Sequence, residues 1–232
     1  MVERGEFFDS VAVFARNLAG GFDISDVLHD LCERVTSMTD EVDAAGVSVL
    51  TEDRLRFATA LDEVTSQLER VQDHEQRGPC VDAARGGQAV LVSDLAARNP
   101  YGVYGSTALG LGIHAVAGIP LLASAPIGAL NLYRYQPSPW ADADIAAARV
   151  FADMAASYIV NASALQQQRR MTEQLQEALE SRVVIEQAKG LLAREHGCSP
   201  DQAFARLRGY ARNHNENIHT VAKAVIDLGL RP

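Results

Sequence analysis

The side chains that could act as nucleophiles or metal ligands are three cysteines and six histidines, and they lie far apart in the sequence. Cys32, Cys80 and Cys198 are odd in number and form no Cys-X-X-Cys pair, which argues against a disulfide framework and a zinc site. The histidines show no spacing that would bring metal ligands onto one helix or strand. We therefore expect no metal, and a protein of the reducing cytoplasm.

Cys80 is the one cysteine whose local sequence favours reactivity. Gly78-Pro79-Cys80 predicts the first turn of a helix, where the pKa of a thiol is lowered. The alternative is a small buried side chain without a chemical role.

The sequence motifs of common enzyme classes are missing. His74-Glu75 has no second histidine four residues later, and no Gly-X-Ser-X-Gly occurs. Gly86-Gly87 lacks the spacing and the lysine of a phosphate-binding loop. We therefore expect a protein that is not an enzyme.

The basic residues are unevenly distributed along the chain. Residues 1–165 contain 11 Lys and Arg against 22 Asp and Glu, whereas residues 166–232 contain 10 against 8. A mildly basic tail on an acidic body indicates a polyanion partner, although an ordinary solvated helical segment has the same composition. Helical spacing places several of the cations on shared faces: Arg182 with Lys189, Arg208 with Arg212 near Arg206, and His219 with Lys223.

The elements that must position these residues begin with an α+β domain. Apolar residues recur at helical spacing over 5–19 and 24–38, and a polar helix is predicted at 62–76. Strands are predicted at 46–52, 54–60, 88–94, 114–122 and 126–135. Short turns join the first two strands and the last two as antiparallel neighbours. The fold class is therefore α+β, with one antiparallel sheet flanked by helices.

A segment rich in glycine and tyrosine, 95–112, precedes the fourth predicted strand. We expect it to fold over the sheet as a loop or a short helix. A small-molecule pocket beneath it would be lined by Tyr101, Tyr104, His114 and Cys80.

The fifty residues from Trp140 to Lys189 contain neither glycine nor proline. They predict one long helix that begins with Ser138 as cap and Pro139 in the first turn, and ends at Gly197. A helix of this length indicates a coiled coil or a signalling helix between domains. Met171, Leu175 and Leu179 form an imperfect heptad, so we expect a homodimer.

The tail completes a three-helix bundle. Residues 199–202, Ser-Pro-Asp-Gln, form a capping box, Asn217 caps the last helix, and Gly229 ends it. The predicted contribution of the long helix to the bundle core is Val184, Ala188, Leu191 and Leu192.

The tail resembles the ANTAR domains, the RNA-binding modules of transcription antitermination regulators. LESRVVIEQAKGLL at 179–192 is similar to their first helix, and the similarity continues over 199–226 in Ala203-Phe204, Leu207-Arg208, Ala211 and Val221-Ala222. The resemblance covers about 175–230. It implies a dimer that binds two adjacent stem-loops of a nascent transcript and prevents a terminator from forming. The matching polar positions are Arg182, Gln187, Lys189 and Arg208; helix-face geometry adds Arg206, Arg212 and Lys223.

The acidic body resembles the GAF domains that are joined to ANTAR domains in actinobacteria. The similar pieces are 78–95, 112–122 and 127–135, within a resemblance that covers about 23–160. It implies a sensory module that binds a small molecule such as a cyclic nucleotide, a bilin or haem. The pattern of cGMP-binding members is not present, since Asn131 is followed by Leu132. The ligand is therefore unknown.

Together these features predict an N-terminal helix at 1–22, a GAF-like domain at 23–160, a coiled-coil linker at 161–178 and an ANTAR domain at 179–232. We expect a cytoplasmic antitermination regulator that binds RNA, has no membrane segment and responds to a small-molecule effector. Three alternatives remain open: a DNA-binding regulator, because a three-helix bundle can dock like a helix-turn-helix; a GAF enzyme with Cys80 as nucleophile; and a dimeric scaffold without a ligand.

Overall fold

The computed structural model describes residues 4–39 and 41–232, so the first three residues of the predicted N-terminal helix lie outside the described part. The chain divides into two compact units, residues 1–163 and residues 164–232. The first unit contains α1 (Arg4–Ala19), α2 (Ile24–Met38), β1 (Ala44–Thr51), β2 (Arg54–Ala60), α3 (Glu63–Glu75), α4 (Pro79–Gly86), β3 (Val90–Val92), α5 (Val103–Gly110), β4 (Ala115–Leu122) and β5 (Pro126–Arg134). Helix α6 (Asp142–His196) begins in the first unit and continues into the second, which adds α7 (Pro200–Asn213) and α8 (Ile218–Leu228).

The five strands form one antiparallel sheet in the order β2-β1-β5-β4-β3. Glu52 and Asp53 both have positive φ angles, 50° and 61°, as the turn of a tight two-residue hairpin requires. The α+β class and both hairpins are confirmed. Strand β5 lies at the centre of the sheet, hydrogen-bonded to β1 and β4.

Alternating residues of the strands face two separate helical layers. Ala45 and Val47 of β1 and Leu130 and Leu132 of β5 face α1, α2 and the first turns of α6. In that layer the rings of Phe14 and Phe151 meet edge to face, with centroids 5.4 Å apart. The intervening strand residues face α3, α4 and α5, and this second face carries the polar side chains of Ser48, Asn131 and Tyr133.

The predicted beginning of the long helix at Ser138 and Pro139 is wrong, because α6 begins at Asp142. The carbonyl oxygen of Pro139 accepts a hydrogen bond of 2.9 Å from Arg134 Nη1. Trp140 packs its ring against the same guanidinium and donates from Nε1 to the carbonyl of Val92 at 3.2 Å. These tertiary contacts hold the segment in a non-helical conformation.

The second unit is a bundle of the end of α6 with α7 and α8. Gly197, at φ 60°, ends α6 after His196. The predicted capping box is present: Ser199 Oγ accepts from the backbone N–H of Gln202 at 3.2 Å, and Gln202 Oε1 accepts from that of Ser199 at 3.0 Å. The core consists of Ala188, Leu192, Ala203, Leu207, Ala211, Val221, Ala222 and Val225. Leu191 was predicted in this core, but it is 47% exposed, because Ala188 and Leu192 define the inward stripe and Leu191 lies beside it.

Among residues 4–39 and 41–232, no helix combines the length and the apolar composition needed to cross a membrane.

Candidate ligand site and RNA-binding surface

A fully buried carboxyl group, Glu69 of α3, lies against the polar face of the sheet. Its Oε1 accepts hydrogen bonds of 2.8 Å from both Asn131 Nδ2 and the Tyr133 hydroxyl, two residues on the same side of β5. Its Oε2 accepts from Ser48 Oγ of β1 at 3.0 Å and from Gln72 Nε2 at 3.5 Å. Helix α3, β1 and β5 thus converge on one acidic side chain. We call these five residues the Glu69 cluster.

The local sequence explains how a glutamate reaches this position. The Asp62 side chain caps α3 by accepting from the backbone N–H of Thr65 at 2.7 Å, which fixes where the helix begins. Glu69 then falls on the inward stripe, one turn after Thr65 and beside Leu68. Gly46 leaves room on β1, since a Cβ there would lie 2.6 Å from Glu69 Oε1.

Burial controls the electrostatics of the cluster. Loss of solvent raises the pKa of Glu69 above its ordinary value, and the hydrogen bonds from Asn131, Tyr133 and Ser48 oppose that rise. In the described part of the chain, no basic side chain forms an ion pair with Glu69. Within these described residues, the carboxyl therefore has neutral donors but no counterion.

Two of the four predicted pocket residues, Cys80 and Tyr104, adjoin the Glu69 cluster. Cys80 is fully buried, and its Sγ lies 3.5 Å from the carbonyl oxygen of Ala129. Burial, followed by the charge of Glu69, raises the pKa of its thiol well above the ordinary value. Of the two alternatives for Cys80, the structure supports the small buried side chain, because loss of solvent outweighs the helix dipole at this thiol.

Tyr104 of α5 is also fully buried, and its hydroxyl has no hydrogen-bond partner in the described part of the chain. Burial first, and then the nearby Glu69 charge, raises the pKa of Tyr104 well above its ordinary value. Tyr101 packs edge-on against the Tyr104 ring at 6.1 Å and donates its hydroxyl to Asp82 at 3.1 Å. Burial and the charge of Asp82 raise the pKa of Tyr101 to about 12.

His114, the fourth predicted pocket residue, lies immediately before β4. Its backbone N–H donates to the carbonyl of Arg134 at 2.9 Å, and its Nδ1 is buried without a partner among residues 4–39 and 41–232. Among the described residues, no hydrogen bond joins the imidazole to the Glu69 cluster. Glu69 itself was not predicted. The sequence feature that could have indicated it is a glutamate on the inward stripe of α3, a helix whose other positions are mostly polar.

Arg134, next to Tyr133 in the sequence, points to the opposite side of β5. Its side chain is 2% exposed, and the guanidinium stacks on Trp140 with 4.0 Å between Cζ and the ring centroid. Nη2 lies 3.1 Å from a carboxylate oxygen of Glu41 and 3.7 Å from one of Asp144, in the first turn of α6. The end of β5 is thereby fixed to the beginning of the long helix.

The cations of the second unit fall on two flanks of the bundle. Lys189 Nζ lies 5.6 Å from the ring centroid of Phe204 and 2.8 Å from Glu186 Oε1. This contact joins α6 to α7. Arg182 shares the flank of Lys189 on α6, and Arg208 and Arg212 follow Phe204 at successive turns of α7. We call Arg182, Lys189, Phe204, Arg208 and Arg212 the Lys189 flank.

The remaining predicted RNA-binding residues lie elsewhere on the bundle. Relative to the buried stripes, Gln187 and Arg206 fall on the flanks opposite to Lys189 and Arg208. Arg206 is one turn before Tyr210, whose ring stacks on His214 at 3.9 Å. Lys223 is exposed on α8, away from the core residues of that helix. The predicted RNA-binding residues therefore lie on different sides of the bundle and not on one common surface.

The sequence profile of the GAF domain family matches residues 23–160. The chain belongs to the GAF family. Solved GAF domains share the fold of this part. The GAF domain/HD domain protein from Geobacter sulfurreducens superposes with a TM-score of 0.52 at 17% identity, covering 63% of this chain and 98% of that chain. The GAF domain of a phosphoenolpyruvate-protein phosphotransferase from Coxiella burnetii gives 0.56 at 14%, covering 69% and 96%.

The profile of the ANTAR domain matches residues 173–226. A search of curated proteins found no match. The chain therefore joins a sensory GAF domain to an RNA-binding ANTAR domain and is a regulator of transcription with a sensory domain. The Glu69 cluster lies in the GAF domain and the Lys189 flank in the ANTAR domain. In the described residues, no group of three or more His, Cys, Asp or Glu side chains is arranged to hold a metal ion.

Proposed function

We propose that this GAF–ANTAR protein is an antitermination regulator that binds tandem stem-loop RNA as a homodimer, under the control of a small molecule sensed by the GAF domain. The observation that carries the RNA-binding part is the contact of Lys189 with Phe204, because it joins the cations of α6 and α7 into one surface. The ANTAR profile over residues 173–226 supports the same function.

The chemistry of the Lys189 flank suits RNA loops. Arginine donates to phosphates and to the exposed edges of unpaired bases, and an aromatic side chain can stack on a base. Arg208 and Arg212 are exposed, and Phe204 is 36% exposed between them and Lys189. Glu186 holds Lys189 in place and partly neutralises it, so we assign the main phosphate contacts to the arginines.

The dimer is proposed from the polar section of α6. Leu175 and Leu179 are each 63% exposed, and Met171 is 62% exposed. They follow one another at single-turn spacing along the helix, where a second copy of α6 would bury them. Two ANTAR domains held together in this way match an RNA with two adjacent stem-loops.

The test is a titration of the purified full chain against a tandem stem-loop RNA at two salt concentrations. Arg208→Glu and Arg206→Glu form a matched pair, because both arginines are exposed on α7 but lie on opposite flanks. We expect Arg208→Glu to weaken binding by more than about tenfold and to reduce the salt dependence, because a charge-assisted contact becomes a repulsive one. Arg206→Glu should change affinity by no more than about twofold.

Equal losses in the two variants would contradict the assigned surface. Preference for a duplex DNA competitor would favour the DNA-binding alternative instead. The dimer is tested separately by sedimentation of Leu175→Lys/Leu179→Lys. This variant should be monomeric and should bind a single stem-loop as well as the parent chain does, while losing its preference for the tandem RNA.

A further inference from the structure

The Tyr104 hydroxyl is an unused hydrogen-bonding group beside the Glu69 cluster. The residue is fully buried, and within the ranges that the structure describes this hydroxyl has no hydrogen-bond partner. Burial and the charge of Glu69 raise the pKa of Tyr104, whereas the nearby Tyr133 hydroxyl opposes that rise. A buried polar group without a partner costs free energy. A state of the cluster in which Tyr133 donates to Tyr104 removes that cost.

The charge of Glu69 decides to which group the Tyr133 hydroxyl can donate. An ionised carboxylate only accepts, so Tyr133 gives its single hydroxyl hydrogen to Glu69 Oε1, 2.8 Å away. A neutral carboxyl has a hydrogen of its own to donate. Asn131 Nδ2, the other contact of Oε1, cannot accept it, because an amide nitrogen only donates. The Tyr133 oxygen can accept it, and the hydroxyl hydrogen of Tyr133 is then free to turn towards Tyr104.

We propose that Glu69, Tyr133 and Tyr104 form a proton-dependent switch that makes the GAF domain respond to pH. When Glu69 is neutral, its carboxyl donates to Tyr133, and Tyr133 donates to Tyr104. When the O–H bond of the carboxyl breaks, the proton passes to water, Tyr133 turns back to the carboxylate, and Tyr104 loses its donor. This response is separate from the small molecule of the proposed function.

The other titratable groups that face Glu69 keep one charge state while it titrates. They are Tyr133 of β5, Tyr104 of α5, Cys80 of α4 and Cys32 of α2, and the pKa of each is raised, first by burial and then by Glu69. Among residues 4–39 and 41–232, no basic side chain forms an ion pair with Glu69. A change of pH near the pKa of Glu69 therefore acts on this carboxyl alone within the cluster.

Carbon-13 NMR of the full chain can follow both ends of the switch. The labels are placed in the side-chain carboxyl carbon of glutamate and in Cζ of tyrosine, and Glu69→Gln and Tyr133→Phe assign the two signals. The carboxyl of Glu69 should titrate with a midpoint above 4.5, because burial raises its pKa. Cζ of Tyr133 should shift with the same midpoint, because its hydroxyl changes its hydrogen-bond partner.

Two substitutions should move the midpoint of Glu69 in opposite directions. Tyr104→Phe removes an acceptor that only the neutral state uses, so the midpoint should fall by about half a pH unit or more. Ser48→Ala removes a donor that binds the carboxylate more strongly than the neutral acid, so the midpoint should rise. Glu63→Gln changes a side chain that is 82% exposed on the same helix, and it should leave the midpoint unchanged.

A midpoint that stays constant or rises in Tyr104→Phe would overturn the switch, because a Tyr104 hydroxyl outside the network gives that result. A Tyr133 signal that does not follow the Glu69 titration would overturn it as well. Both outcomes are independent of RNA, and each variant keeps the size of the side chain that it replaces or reduces it by one hydroxyl group.

The effect of the switch on RNA rests on the proposed function and is measured separately. RNA titrations on either side of the midpoint should show an affinity change of about fivefold or more in the parent that is absent in Glu69→Gln. Equal changes in the two chains would overturn a regulatory role for the switch. Failure of every chain to bind RNA at any pH would overturn the proposed function, whereas the NMR titration would still decide the switch.

Discussion

Replacing Glu69 by Gln should remove a specific part of the pH dependence of GAF-domain stability. Burial raises the pKa of Glu69 above the ordinary value of 4.5, so the folded protein keeps a proton that the unfolded chain releases. The contribution of Glu69 to stability is therefore complete below pH 4.5 and is lost as the pH rises through the pKa of the folded state. Within that window, the free energy of unfolding should fall by up to about 1.4 kcal/mol for each pH unit.

The assay is urea unfolding of the full chain at several pH values, followed by the fluorescence of Trp140. This residue is 7% exposed and belongs to the core of the GAF domain, so its emission reports the unfolding of that domain. All other titratable groups are common to the parent and the variant. The difference between their free energies of unfolding therefore isolates Glu69.

The parent should lose stability relative to Glu69→Gln as the pH rises from 4.5 towards neutrality, and the difference between the two should become constant at the acidic end. Glu63→Gln, with an exposed side chain on the same helix, should run parallel to the parent. Parallel curves for the parent and Glu69→Gln would refute the reasoning. They would show that the hydrogen bonds of the Glu69 cluster stabilise the ionised form as much as burial destabilises it.

Three further substitutions test the packing of both units. Arg134→Met keeps the apolar stem on Trp140 but removes the contacts with Glu41 and Asp144 and the hydrogen bond to Pro139, so the GAF domain should lose about 2 kcal/mol, with a shifted Trp140 emission. Ser199→Ala removes the capping box and should lower hydrogen-exchange protection in α7 by about 1 kcal/mol. Leu207→Ala opens a cavity in the ANTAR core and should cost about 3 kcal/mol by the same exchange measurement in α7 and α8, as a fully buried leucine does.

The sequence predicted the elements that have strong local signals. Alternating apolar residues beside a Glu52-Asp53 turn predicted the first hairpin, and the spacing of Ser199 and Gln202 predicted the capping box. These features depend on residues within one or two turns. The prediction that the long helix begins at Ser138 was wrong for the opposite reason. Arg134 and Trp140 hold that segment through tertiary contacts, and local helix propensity takes no account of such contacts.

The candidate sites were less predictable for the same reason. Helical spacing correctly placed Arg208 and Arg212 on one stripe, but only the packing of α6 on α7 shows that Lys189 joins them and that Arg206 does not. Glu69 reads as one more charge on a polar helix. Its surroundings depend on β1 and β5, which place Ser48 and Asn131 within hydrogen-bond distance of it. Because these two residues are 21 and 62 positions away from Glu69 in the sequence, the sequence alone does not show the arrangement.

Strand β5 connects the candidate ligand site to the helix that leaves the GAF domain. Tyr133 donates to Glu69 on one side of the sheet, and Arg134 contacts Trp140 and Asp144 on the other. These two residues are consecutive, so a single peptide unit separates a hydrogen bond of the Glu69 cluster from the ion pair at the first turn of α6. Tyr133 and Arg134 are covalently adjacent, and their side chains point to opposite faces of the strand. A change in the register or twist of β5 therefore moves both residues together. The same α6 continues into the ANTAR domain, where it carries Arg182 and Lys189.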